Sequence, residues 1–211
     1  MTLPSSIGVI DYGGGNIRSL VKALEALGSP PRLVNTPDQM EDLELVFFPG
    51  QGAFGDCMKK LEKLKLVDPL VRWIEADRPF FGICIGYQLL FEGSEESPGQ
   101  RGLGVFQGQV TRFPAGDLKV PHMGWNSAHL RDPQAPPWQG LGPDPYFYFV
   151  HSFFPSPADH SLVAARTEYG VPFASAIQRG RLLATQFHPE KSQKAGMKLI
   201  GDFLQETLET A

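Results

Sequence analysis

Of the two cysteines in the chain, Cys84 has the setting of a nucleophile. The apolar run Phe80-Phe81-Gly82-Ile83 leads into it, glycines stand two positions away on either side (Gly82 and Gly86), and a helix-compatible stretch begins at once. This is the strand–nucleophile–helix elbow, with cysteine in the serine position. A turn so sharp leaves no room for side chains at its flanks and holds the nucleophile in a strained backbone conformation. It also places the sulfur at a helix N-terminus, where the dipole favours thiolate over thiol. A plain reading competes with this one: a buried cysteine after a strand, with glycines that merely turn the chain. Cys57 lacks such flanks, falls inside a helical stretch and is expected to be structural.

A thiolate nucleophile needs a general base that later acts as an acid, and the base needs a group to orient it. Of the five histidines, His188 is distinguished by the run His188-Pro189-Glu190. Proline restricts His188 to extended geometry, and residues two apart in an extended chain project to one side. Glu190 is thereby placed to reach the imidazole, unless the run is only a surface turn. Acyl transfer also needs donors for the developing oxyanion, each worth about 3 to 4 kcal/mol. The Ile85 amide, next after the nucleophile, is one candidate. A second is the glycine-bracketed loop Gly50-Gln51-Gly52, which follows the apolar run Leu45–Phe48; a strand-terminating turn is its plain alternative.

The elements that must position these groups read as α/β. Short apolar runs at Ile7–Asp11, Arg32–Val34, Leu45–Phe48 and Pro79–Ile83 alternate with helical stretches at about 16–27, 53–65, 69–76 and 86–91. Later strand-like runs are Gly104–Phe106, Gln109–Phe113, Tyr146–His151, Leu162–Thr167, Phe173–Gln178 and Leu182–Gln186, with a Pro/Gly-rich connection over 132–145. A closing helix over 193–209 carries Met197, Ile200, Phe203, Leu204 and Leu208 near one face. The expectation is one domain over residues 1–211: a mixed, mostly parallel central sheet flanked by helices, flavodoxin-like, with antiparallel strands added late. In open α/β sheets ligands bind outside the carboxyl ends of the strands, which puts Cys84 and the 50–52 loop on one rim.

Composition narrows the remaining classes. A formal charge of -4 gives no support to nucleic-acid binding. No apolar run approaches the roughly 18 residues of a membrane span, and the N-terminus lacks the pattern of a signal peptide. Two cysteines make neither a disulfide framework nor a zinc motif, so no metal site is expected, and cytoplasm is the expected compartment. The run Gly13-Gly14-Gly15 invites a dinucleotide reading, which fails because Arg18 stands where the third glycine of the fingerprint would fall.

Taken together, Pro49-Gly50-Gln51-Gly52, Gly82-x-Cys84-x-Gly86-x-Gln88 and His188-Pro189-Glu190 resemble the class I glutamine amidotransferases over nearly the whole chain. The resemblance implies a Cys84, His188, Glu190 triad and a γ-glutamyl thioester on Cys84. It also implies glutamine held by Gln88, the Gly50–Gly52 loop and the backbone near Ser152 and Phe153, with no cofactor. Lys119–Asn126, Asp11–Ser19, Tyr146–Ser152 and Lys191 resemble the glutaminase-subunit family of imidazole glycerol phosphate synthase, in histidine biosynthesis. For that family the implied partner is a cyclase subunit with a (β/α)8-barrel fold, in a heterodimer. The barrel takes up the ammonia to make imidazole glycerol phosphate and an aminoimidazole carboxamide ribotide. The implied docking residues are Asn16, Arg18, Met123, Trp125, Tyr146, Tyr148 and Lys191. Met123, Trp125, Tyr146 and Tyr148 have interface composition, although ordinary strand core would look alike. Gln51 departs from the apolar residue usual in the loop, and Ser152-Phe153 is less polar than the usual pair. Alternatives are a glutaminase serving anthranilate or pyridoxal phosphate synthesis, and a non-catalytic flavodoxin-like binding module.

Overall fold

A computed structural model describes residues 6–14, 17–116 and 118–209. Asn16 lies outside the described residues. The first half runs β1 (Ile7–Ile10), α1 (Ile17–Ala26), β2 (Arg32–Val34), β3 (Leu45–Phe48), α2 (Phe54–Lys63), α3 (Val67–Glu75), β4 (Phe80–Ile83) and α4 (Ile85–Gln88). There follow β5 (Phe91–Ser94), β6 (Phe106–Arg112), β7 (His122–Ser127), β8 (His129–Leu130), β9 (Tyr146–His151) and β10 (Phe153–Pro157). The chain ends with β11 (Val163–Tyr169), β12 (Val171–Arg179), β13 (Leu182–Thr185) and α5 (Gln193–Glu209).

Among the described residues the main sheet has eight strands in the order β2-β1-β3-β4-β13-β12-β11-β8. Its first five are parallel and the rest antiparallel, so the expected mixed sheet with late antiparallel additions is present. The parallel strands β1, β3, β4 and β13 are buried at every residue, as strands covered on both faces must be. Alternation along them feeds two cores. Val46, Phe48 and Phe80 pack with Met58, Leu61, Leu70 and Trp73 of α2 and α3. Leu45, Phe47 and Phe81 pack with Leu20 and Leu24 of α1 and with Ile200, Phe203 and Leu204 of α5. These two helical layers hold the sheet rigid at the rim where β3, β4 and β13 end. No helix among the described residues is long and apolar enough to cross a membrane.

Several local expectations need correction. The helix expected over 86–91 stops at Gln88, because Phe91 opens β5 and pairs in parallel with Phe106 of β6. The two runs expected at 104–106 and 109–113 form the single strand β6, preceded by a left-handed Gly104 (φ +65°). A three-stranded sheet, β10-β6-β5, and a two-stranded ribbon, β7-β9, stand apart from the main sheet. Of their strands, β5, β7 and β10 were not anticipated.

Candidate active site

The candidate nucleophile, Cys84, is set by two adjacent strands. Ile83 at the end of β4 is in register with Thr185 at the end of β13, and the Cys84 amide donates to the Thr185 carbonyl at 2.8 Å. Cys84 then turns through φ 56°, ψ −107°, a region that costs a side-chain-bearing residue of order 1 to 3 kcal/mol. Space requires the glycine at 86 and leaves little room at 82. A Cβ on Gly86 would lie 1.8 Å from the Phe48 carbonyl oxygen, and one on Gly82 would lie 3.0 Å from the Gly86 oxygen. Only one helical turn, α4, follows the sulfur, so the dipole invoked from sequence is that of a single turn.

His188 and Glu190 come from the chain just past β13. His188 is extended as expected (φ −100°, ψ 95°), but residues 189–191 form a turn of 3-10 helix, so Glu190 reaches back through a bend. The imidazole Nδ1 and Glu190 Oε1 are 2.8 Å apart, with both side chains 3% exposed. The opposite ring nitrogen, Nε2, is buried without a protein hydrogen-bond partner. Burial by itself disfavours the imidazolium. The negative charge and hydrogen-bonding capacity of Cys84, followed by those of Glu190, outweigh it and hold His188 up at about 10. The three groups therefore form one coupled set, with Cys84 the strongest influence favouring the charged imidazole.

These groups adjoin a cleft of ≈ 400 Å³ at the carboxyl rim. Of the residues expected at the substrate, Gln51, Gly52, Cys84, Ile85, Gln88, Ser152 and Phe153 line it. Gly50 is buried behind it, where a Cβ would meet the Tyr12 hydroxyl at 1.9 Å and Ile85 Cγ2 at 2.1 Å. The loop is braced from the same side: Cys57, buried within α2, places its sulfur 3.7 Å from both the Tyr12 hydroxyl and the Gln51 carbonyl oxygen. Gln88 is held inward. Its Nε2 donates to the Phe153 carbonyl (2.9 Å) and to Gln186 Oε1 (3.0 Å), and its oxygen is the end left as an acceptor. The Phe153 carbonyl also accepts from His151 Nδ1 (2.8 Å), and the Ser152 carbonyl accepts from the Phe113 amide (3.2 Å). The Phe153 carbonyl thus serves the protein twice, while the Ser152 carbonyl keeps acceptor capacity beyond its single backbone donor.

Several residues of the site were missed from sequence. Glu96 lines the cleft and is fixed by the Phe54 amide at 2.7 Å. Gln186 places Nε2 3.7 Å from Cys84 Sγ. Ser192 donates to the His188 carbonyl (2.6 Å) and accepts from the Tyr148 amide (2.9 Å), while the His188 amide donates to the Tyr148 carbonyl (2.9 Å). None carries a local motif: Glu96 meets the start of α2, Gln186 meets the Cys84 elbow, and Ser192 joins β9 to the chain past β13. A buried pair, His122 and His151, lies beside them with Nδ1 of the first 3.0 Å from Nε2 of the second. Burial lowers both, to about 4 and about 3.

The ribbon β7-β9 shows its outer face to solvent. Met123, Trp125 and Tyr146 are 62, 48 and 60% exposed, which rejects their reading as strand core. Trp125 is paired across the ribbon with Tyr148, their rings edge-on at 6.3 Å. Arg18 is exposed, and Tyr148 and Lys191 line the cleft as well, so the expected docking residues and the expected glutamine site share a rim.

The family described as glutamine amidotransferase class-I matches residues 8–207. A curated relative from Methylococcus capsulatus, the imidazole glycerol phosphate synthase subunit HisH, is 47% identical over 209 residues, covering 95% of this chain and 96% of its own. The protein of that description from Nitrosococcus oceani is 48% identical over 204 residues, covering 95% and 97%. A crystal structure of a glutamine amidotransferase superposes with a TM-score of 0.75 at 24% identity, over 95% of this chain and 98% of that one.

Proposed function

We propose a mechanism from the premise that this chain belongs to the class I glutamine amidotransferases and, within them, to the HisH subunits of imidazole glycerol phosphate synthase. It is a glutaminase, and the whole chain acts as one amidotransferase domain. In the mechanism the Cys84 thiolate attacks the side-chain amide carbon of glutamine, forming a C–S bond. The negative charge on the tetrahedral oxygen is met by the Ile85 amide and by a backbone N–H of the Gly50–Gly52 loop. His188, charged and oriented by Glu190, gives its proton to the departing nitrogen as the C–N bond breaks and ammonia leaves. Neutral His188 then takes a proton from water, whose oxygen attacks the γ-glutamyl thioester. The C–S bond breaks, its electron pair returns to sulfur, and glutamate is released. The Gln88 oxygen and the Glu96 carboxylate suit the α-ammonium of the substrate. No cofactor enters.

The observation that carries this reading is the buried His188–Glu190 pair, whose free Nε2 is coupled to a cysteine held in a strained elbow. For the ammonia we propose a cytoplasmic heterodimer with a (β/α)8-barrel cyclase, docked on the face carrying Arg18, Met123, Trp125, Tyr146, Tyr148 and Lys191, with Asn16 assigned to it from sequence. Large aromatics left exposed next to a cleft are what such a face requires. A glutaminase assay of the chain alone and with a cyclase subunit and its ligand tests both parts. Glutamate release should rise on adding the partner and vanish in Cys84→Ser. Equal rates with and without the cyclase remove the coupling, and activity surviving in Cys84→Ser removes the nucleophile.

A further inference from the structure

A thiolate taken out of water needs donors aimed at it, because its charge has lost the solvent that would otherwise hold it. His188 is one. Gln186, two residues before that base, stands at Cys84 as well, with Nε2 3.7 Å from the sulfur and a side chain that is 0% exposed. Which end of its amide faces the sulfur is decided at a distance. The Phe153 carbonyl can only accept, so the Gln88 group 2.9 Å away is its NH2. That NH2 also lies 3.0 Å from Gln186 and must meet its oxygen. The Gln186 NH2 is therefore the end at Cys84, and it is a donor. The chain here has little freedom to turn: the Gln186 amide donates to the Ser175 carbonyl at 2.8 Å, and the next ring, Phe187, stacks on Phe147 at 3.9 Å. A fully buried side-chain amide costs stability unless both ends are bonded. Here one end orients Gln88 and the other meets the nucleophile.

We propose that Gln186 is a catalytic residue whose side-chain amide donates to Cys84 Sγ and stabilises the thiolate at both ends of the cycle. It does so before the C–S bond forms, and again when that bond breaks and its electron pair returns to sulfur. In the neutral thioester between, the sulfur is a poor acceptor and the contact contributes little. The inference rests on Cys84 being the nucleophile.

Gln186→Met keeps length and apolar bulk while removing the N–H donor. In the full chain, alkylation by iodoacetamide is followed on the Cys84 peptide by mass spectrometry, so that Cys57 does not contribute. The pH of half-maximal alkylation should rise by about one unit in the variant, with kcat about tenfold lower. A residue that only braced Gln88 would raise KM and leave the alkylation profile where it is, and that result overturns the proposal. Activity surviving in Cys84→Ser would instead refute the nucleophile itself, a distinguishable failure. Should Gln186→Met not fold, the unaltered protein carries the test. The side-chain NH2 resonances of Gln186 should shift with pH along the Cys84 alkylation curve, and resonances that stay fixed through it refute the donor.

Discussion

His188 and the pair His122 and His151 are buried beside the same cleft, and their neighbours have sent them in opposite directions. His188 has Cys84 and the Glu190 carboxylate as neighbours and is held up at about 10. His151 is as deeply enclosed but has a backbone carbonyl and another imidazole as partners, and it falls to about 3. Loss of water pushes both imidazoles toward neutrality; the charge of the partner decides which of them resists. The hydrogen-bond roles in the neutral pair follow from its end. The Phe153 carbonyl only accepts, so His151 donates from Nδ1 and accepts at Nε2 from His122. His122 in turn uses Nε2 to accept from Asn126 Nδ2 at 3.3 Å. At neutral pH His188 therefore keeps its charge, while His122 and His151 stay neutral and hold a hydrogen-bonded shape.

The comparison is broken most directly by Glu190→Gln, which makes one of the two groups holding His188 up uncharged and leaves Cys84 in place. The kcat for glutamine hydrolysis should fall roughly a thousandfold or more, by analogy with the loss of the orienting carboxylate in other triads. The His188 titration, read by NMR, should move down toward that of His151. A variant with near-normal kcat would show that the carboxylate does not set the base apart.

An intermediate effect comes from pH. Folded His122 and His151 titrate below their unfolded value of about 6.5, so the unfolded chain binds protons there that the folded chain refuses. Stability should therefore fall as pH drops from about 6.5 toward about 4, the folded value of His122. His188 has the reverse sign: its contribution is complete below about 6.5 and fades as pH rises through about 10. Urea unfolding across this range should show both losses, and His151→Gln should flatten the acid limb alone. An unchanged acid limb would place the sensitivity elsewhere.

The smallest effect belongs to Ser192→Ala, which removes the hydroxyl joining His188 to Tyr148. It should destabilise the chain by about 1 to 3 kcal/mol, the usual result of leaving buried polar groups unpaired, and reduce kcat only several-fold. If kcat were to fall as far as in Glu190→Gln, the serine would have to act on more than the backbone of the base.

The triad candidates were legible because each is written locally, as glycines around Cys84 and a proline between His188 and Glu190. The parallel strands were legible for a related reason: burial on both faces makes them unbroken apolar runs. Gln186, Ser192 and the His122–His151 pair were not, since their partners lie far away in the chain and no short pattern records such meetings. β10 was hidden by Pro155 and Pro157, which argue against a strand and are tolerated because β10 is the edge of its sheet. β5 was hidden by Gly93 and by the helix expected to run through Phe91. The outer face of β7 and β9 reads as apolar whether it is core or exposed, and only the fold tells the two apart.

The pairing of Ile83 with Thr185 makes the two halves of the proposed chemistry neighbours on a single lattice, although nearly half the chain separates them. The ends of β4 and β13 are thereby fixed one strand pitch apart, roughly 4.8 Å, with Cys84 one residue beyond the first and His188 three residues beyond the second. Such an arrangement is modular. The loops between β5 and β12 could be lengthened or trimmed while the β4–β13 pairing and the grip of β9 on His188 kept the two groups together.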